Sequence, residues 1–286
     1  MIQSLRVLSK QRLIVGESPL WDDEHQVLYT VDVRGKTIQK RDWVTGETAE
    51  ISLPQMVGSI ALMEDGTLMA ALEDGIYRVS ETGELLCLHR AADIKGDQFN
   101  DGKVGPDGAF YVGTMAANFG GAFYKLTPEG ELLELFDGVG CSNGLAWSRD
   151  EKTMYYCDSS AGKLEAFDFD KASGELSNRR TICEVPGGVG EFDGMTIDQR
   201  DHLWVGVWGG SCLYEVDPAE GVVGKIALPV LHGTCCAFAG PERNTLVITS
   251  AAKERDLVAE PLAGYTFRMD MKVTGRPTFR FGRSHD

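Results

Sequence analysis

Short runs of alternating apolar and polar residues recur along the chain, separated by turn-forming dipeptides. Ser59 to Leu72 (SIALMEDGTLMAAL), Ala146 to Asp158 (AWSRDEKTMYYCD) and Met195 to Val207 (MTIDQRDHLWVGV) each read as a strand, a turn built on Asp-Gly or a polar substitute, and a second strand. A third alternating run usually follows, as in GIYRVS from Gly75, GAFYKLT from Gly121, KLEAFDFD from Lys163 and CLYEVDP from Cys212. No run of ten or more residues carries the period of an amphipathic helix. The pattern predicts an all-β chain.

The units repeat. Aligned on the residue four positions before the large apolar side chain of the first strand, as before Trp21 and Trp147, they start at Glu17, Gly58, Asp101, Asn143, Asp193 and Thr234. The spacings are 41, 43, 42, 50 and 41 residues, close to the ~40 to 45 residues of a four-stranded propeller blade. The unit at Asp101 is the weakest. Six units predict a single-domain, six-bladed β-propeller over residues 1–286, with Leu5 to Leu8 and Thr278 to Phe281 left over to pair and close the ring. The Gly-His and Trp-Asp signature of WD repeats is missing.

A length of 286 residues suits one large all-β domain, and 43% apolar residues with 34 glycines against 10 prolines indicate a folded, turn-rich chain. The net charge of -15 and the lack of a Lys/Arg run argue against nucleic acid as a partner. No stretch approaches the ~20 apolar residues of a membrane span, and the start MIQSLRVLSKQRL lacks a signal-peptide core, so the chain is expected to begin near Met1. Seven cysteines without a CxxC indicate neither a disulfide framework nor a thiolate zinc site, which fits a reducing cytoplasm. The expected molecule is a monomer or small homo-oligomer that handles a small molecule.

In a propeller the first strand of every blade lines the central channel, so the six starting positions form a ring at one mouth. That ring gathers Glu17, Asp101, Asn143 and Asp193, with Gly58 and Thr234 completing it. Carboxylates sharing a site raise one another's pKa unless a cation neutralises them. Oxygen ligands without His or Cys suit Ca²⁺, Mg²⁺ or Mn²⁺, and zinc stays open. Singly, Asn143-Gly144 and Asp193-Gly194 also read as ordinary turn dipeptides; agreement in phase across four repeats favours the metal.

The segments GESPLWDD (Gly16 to Asp23), FNDGKVGPDG (Phe99 to Gly108), GTM (Gly113 to Met115), SNGLAWS (Ser142 to Ser148), FDGMTID (Phe192 to Asp198) and CCAFAG (Cys235 to Gly240) resemble, in order, those of the senescence marker protein-30, gluconolactonase and regucalcin family. The resemblance implies a six-bladed propeller with one divalent metal ion (Ca, Mg, Mn or Zn) held by Glu17, Asn143 and Asp193, with Asn100 contacting substrate or the metal's water. It gives Asp101 no ligand role, leaving a supporting or a turn position. Several family members carry an arginine where this chain has Gln98, and the loop Ala116 to Gly121 lacks an acidic residue found in animal homologues, so the substrate differs in its contacts.

The activity implied is hydrolysis of a sugar lactone; for it Asp193 is expected to be both ligand and general base, and Gln98, Asn118, Trp208 and Arg34 are expected to join Asn100 on the substrate side. Lys253 and Arg255, like Arg34, are candidates for an anionic group. Phosphotriester or other ester hydrolysis at the same site is the enzymatic alternative, and a non-catalytic calcium-binding propeller is the other. His25, His89, His202, His232 and His285 show no HxxxH spacing, and no GxSxG occurs. His232 is a candidate site residue by its nearness to Thr234. Cys235 and Cys236, like Trp21, Trp147 and Trp204, read as core, and Trp208, in a glycine-bracketed loop, as a wall for a sugar ring.

Overall fold

A computed structural model describes residues 4–92 and 94–282 of the chain; Met1 and His285 lie outside the described residues. Six antiparallel sheets follow one another in the sequence and form a six-bladed β-propeller. The inner strands of blades one to six are Gly16–Asp22, Val57–Met63, Gln98–Val104, Ser142–Trp147, Glu191–Ile197 and Gly233–Ala239. Even the weak unit at Asp101 builds a full four-stranded blade. The 50-residue spacing from Asn143 to Asp193 goes into a long outer hairpin, Lys163–Asp170 with Glu175–Glu184. Helical structure among the described residues is limited to three single 3-10 turns.

Burial is greatest in the second strands of several blades and falls toward the rim. The second strands Val27–Asp32, Leu68–Leu72 and Thr245–Ser250 are buried at every position, whereas Leu85–Arg90 and Glu175–Glu184 on the rim are largely exposed. A strand with a sheet on both faces needs a near-continuous apolar run, and a rim strand needs only one apolar face. The core is therefore divided into six seams between neighbouring blades. Met69, Phe99 and Phe110 pack between blades two and three, and Tyr111, Phe123, Trp147 and Tyr156 between three and four. Trp204, Phe238 and Phe267 fill the seam between five and six. Trp21, Trp147 and Trp204 are buried, as their strand positions indicated.

The seam that closes the ring, between blades six and one, has the smallest apolar cluster: Trp21, Leu28, Ala239 and Val247. Polar fastenings add to it. Thr234 Oγ1 donates to the Gly16 carbonyl at 2.6 Å, and Arg243 pairs with Asp23 at 2.9 Å. Closure comes from the N-terminal strand Arg6–Ser9, which supplies the outer strand of blade six, as expected of Leu5 to Leu8.

The other leftover segment does not close the ring as expected. Thr278 to Phe281 belongs to a strap, residues 272–282, crossing the end of the channel remote from Glu17, and only Arg280–Phe281 forms a strand, parallel to Leu62 and Met63 of blade two. The strap touches every blade. Its backbone bonds reach Gln199, Arg243, Glu64 and Gly108, Arg276 donates to the Trp147 and Ser148 carbonyls, and Thr278 donates to the Trp21 carbonyl. Buried Arg280 pairs with Asp22 at 2.6 Å. Above the strap lies a cavity of about 110 Å³, lined by Trp21, Asp101, Lys103, Trp147, Cys235 and Phe279 among others.

Candidate metal centre at the channel mouth

All six inner strands break register at the same phase. The shifts fall between Glu17 and Leu20, Val57 and Ser59, Phe99 and Gly102, Asn143 and Leu145, Phe192 and Met195, and Gly233 and Cys236. A bulge bends the strand and re-aims the side chain at that point. It also releases a backbone N–H from the ladder. In three blades the side chain just before takes that N–H: Ser18 donates to Glu17 Oε2 at 3.2 Å, Gly102 to Asp101 Oδ1 at 2.8 Å, and Gly194 to Asp193 Oδ1 at 3.0 Å.

The glycines behind these residues are not turn glycines. Gly102, Gly144 and Gly194 lie within strands, and the reason for glycine is the approach of the next blade. A Cβ on Gly194 would sit 2.2 Å from Cys235 Sγ, and one on Gly144 would sit 2.7 Å from the Asp193 carbonyl oxygen. Without a side chain there, adjacent inner strands close together and their polar residues converge.

Asp101 and Asp193 are buried and Glu17 is half-buried, all within electrostatic reach of one another. Burial first, then repulsion from Asp193 and Asp101, holds the Glu17 carboxyl well above its ordinary range. Asp193 is likewise held well above it by burial and then by Asp101. Burial raises Asp101, with the Lys103 ammonium and the Gly102 N–H pulling the other way. Asp101 Oδ2 is buried with no hydrogen-bond partner. Asn143 is fixed at both ends of its amide: Nδ2 donates to Ser159 Oγ at 2.7 Å, and Oδ1 accepts from Asn100 at 3.1 Å. Ser159 in turn donates to the Phe192 carbonyl at 2.6 Å, linking Asn143 to the backbone beside Asp193.

Among the described residues, no three His, Cys, Asp or Glu side chains are arranged as a metal-binding group; the expected set has two carboxylates and an amide. The donor chemistry nonetheless fits a hard divalent cation. Buried carboxyls that repel one another, with an orphaned carboxylate oxygen beside them, are what a cation would relieve. Thr234 faces the blade seam instead, its hydroxyl engaged by Gly16 and Thr249.

Around this centre, Asn100 also donates to the Ser142 carbonyl at 2.7 Å, and Gln98 pairs in register with Met115. Asn118 lies exposed in a 3-10 turn with φ of 56°, and Arg34 is exposed in the loop between the second and third strands of blade one. Trp208 ends the strand Leu203–Trp208 rather than sitting in a loop, and stacks on His232 with ring centroids 4.0 Å apart. His232 Nδ1 accepts the Gly209 N–H at 3.1 Å, and burial followed by Arg255 lowers the imidazole pKa. A neutral ring with that nitrogen engaged is a poor base. Lys253 pairs with Glu254 and Arg255 with Glu260, so both expected anion contacts already have carboxylate partners. Burial and then Asp193 push the Cys141 thiol up to about 12, removing it as a nucleophile.

Residues 15–252 fit the family described as the SMP-30/gluconolactonase/LRE-like region. The chain belongs to this family. It is 34% identical over 253 residues to regucalcin of Xenopus laevis, covering 85% of each chain. It is 32% identical over 273 residues to the Bacillus subtilis protein provisionally named sugar lactone lactonase YvrE, covering 92% of this chain and 94% of that one. Among solved structures, a calcium-binding protein, regucalcin, from Agrobacterium tumefaciens superposes with a TM-score of 0.90 at 24% identity, covering 98% of both chains, which shows the shared fold.

Ser159 and Lys103 were not singled out from the sequence. Ser159 directly follows the second strand of blade four, and nothing in its neighbours signals that it orients Asn143.

Proposed function

We propose that the protein hydrolyses a small lactone, an aldonolactone in the first instance, with one divalent ion held by Glu17, Asn143 and Asp193. The observation that supports this most is the set of mutually repelling, desolvated carboxyls at the bulges of the inner strands. When bound, a divalent cation would supply Lewis acidity toward the lactone carbonyl. The chain's own groups do the rest. Asp193 takes a proton from the attacking water as the new C–O bond forms, then returns it to the ring oxygen as the acyl C–O bond breaks.

Asn100 spends its amide N–H groups on Ser142 and Asn143, so it offers a substrate hydroxyl its carbonyl oxygen. Trp208, braced by His232, gives a flat apolar wall, while Gln98 and Asn118 add neutral polar contacts. Arg34 remains as an outer contact. Arg255 is engaged by Glu260 at 2.6 Å, and Lys253 lies 3.7 Å from Glu254. Among the described residues no helix is long and apolar enough to cross a membrane, and seven free thiols suit a reducing cytoplasm.

The test is acid release from five- and six-membered aldonolactones, with phosphotriesters and aryl esters alongside. The chelated protein should be inactive, and Mn²⁺, Mg²⁺, Ca²⁺ or Zn²⁺ should restore lactone turnover to different extents. Metal-loaded protein that turns over no lactone would leave a binding propeller instead.

A further inference from the structure

A half-buried lysine lies one pleat below the ring. Lys103 sits two residues after Asp101 on the inner strand of blade three, and its Nζ donates to the Leu145 carbonyl of blade four and the Met195 carbonyl of blade five, both at 2.8 Å. Leu145 lies two residues after Asn143, and Met195 two after Asp193. Each is the first residue back in register beyond its strand's bulge. One side chain thus joins three neighbouring inner strands at a single level, just past the points where they present Asp101, Asn143 and Asp193.

We infer that Lys103 is a positioning residue for the metal centre: its ammonium ties the inner strands of blades three, four and five together below the ring and so fixes Asn143 relative to Asp193. The tie matters because inner strands of different blades share no ladder; each is paired within its own sheet. Their spacing depends on side chains that cross between blades. Lysine suits the place because an ammonium directs three donors to different carbonyls from one atom. Its charge also acts on Asp101, the ring carboxyl with an orphaned oxygen. Three ring carboxylates against one divalent ion leave a single negative charge, which Lys103 balances.

The two effects of Lys103 push metal affinity in opposite directions, which makes substitution informative. Removing a positive charge beside a cation site would tighten metal binding, whereas loosening Asn143 and Asp193 would weaken it. Lys103→Met removes donors and charge, and Lys103→Gln keeps an N–H donor without the charge. Calorimetric titration with Mn²⁺ alone should show affinity lost by roughly 10- to 100-fold in Lys103→Met, the range for residues that support metal ligands, and partly recovered in Lys103→Gln. Unchanged or tighter binding in Lys103→Met would overturn the inference.

The metal arm rests on the ligands proposed above; a second arm does not. In metal-free protein, amide hydrogen exchange should quicken in Lys103→Met across residues 142–147 and 191–197 and stay unchanged across 57–63 of blade two. Equal exchange at all three, or a uniform rise, would show that Lys103 does not hold these strands in particular, whatever the protein catalyses.

Discussion

Loading a cation into this mouth should expel protons, because the carboxyls that receive it are held above their ordinary range when no metal is present. For Glu17 the causes are burial, then Asp193 and Asp101; for Asp193 they are burial and then Asp101. An exposed carboxyl titrates near ~4, so above that pH the folded, metal-free protein retains protons that the unfolded chain has lost. A raised folded-state pKa favours folding at low pH and loses that contribution as pH rises through the raised value. Metal-free protein should therefore lose stability as pH rises from about 5 toward those values, while saturating metal flattens the decline. The two carboxyls interact, so they titrate as a pair, and one to two protons leave per ion bound. Affinity should then rise by roughly 10- to 100-fold per pH unit across that window. Calorimetry in two buffers of different ionisation enthalpy at one pH counts the protons. No proton release, with an affinity flat from about pH 5 to 8, would mean that both carboxylates are already ionised without metal and would refute the reasoning.

Asp193→Asn keeps shape and a carbonyl oxygen but removes the proton acceptor, so metal should bind more weakly while kcat at saturating metal falls by roughly 10² to 10⁴; near-normal kcat would place the base elsewhere. Arg280→Ala leaves Asp22, fully buried, without its strap partner. Breaking a buried pair costs about 3 to 5 kcal/mol, and the lower end is expected because His25 still bonds Asp22 at 2.7 Å. Urea denaturation should show that loss, with Mn²⁺ affinity in the folded protein unchanged since the strap lies at the far end of the channel.

The blades were legible because their physics is local. Alternation gives strands, and a repeat of forty-odd residues gives blades. The phase of the ring was legible for the same reason: Glu17, Asn143 and Asp193 each precede a large apolar residue by four, Asp101 precedes Val104 by three, and each sits at a bulge. What the bulge does was hidden. Asn143-Gly144 and Asp193-Gly194 look like turns in a one-dimensional pattern, and only the nearness of Cys235 and the Asp193 carbonyl shows why glycine is needed. Thr278 to Phe281 was misassigned because alternation marks a strand without naming the edge it pairs with. Lys103 resembles any polar residue on an alternating strand, since its partners lie 42 and 92 residues away. Arg255 looked available for an anion because the sequence does not show Glu260 folding back onto it.

The central claim is that one divalent ion sits among Glu17, Asn143 and Asp193. Crystals grown with Mn²⁺, with diffraction recorded at the manganese absorption edge, test it without reference to activity. The account predicts one strong anomalous peak at the mouth, roughly 2.0 to 2.6 Å from oxygens of all three side chains. A saturated crystal with no peak there, or with its peak on other residues, would contradict it.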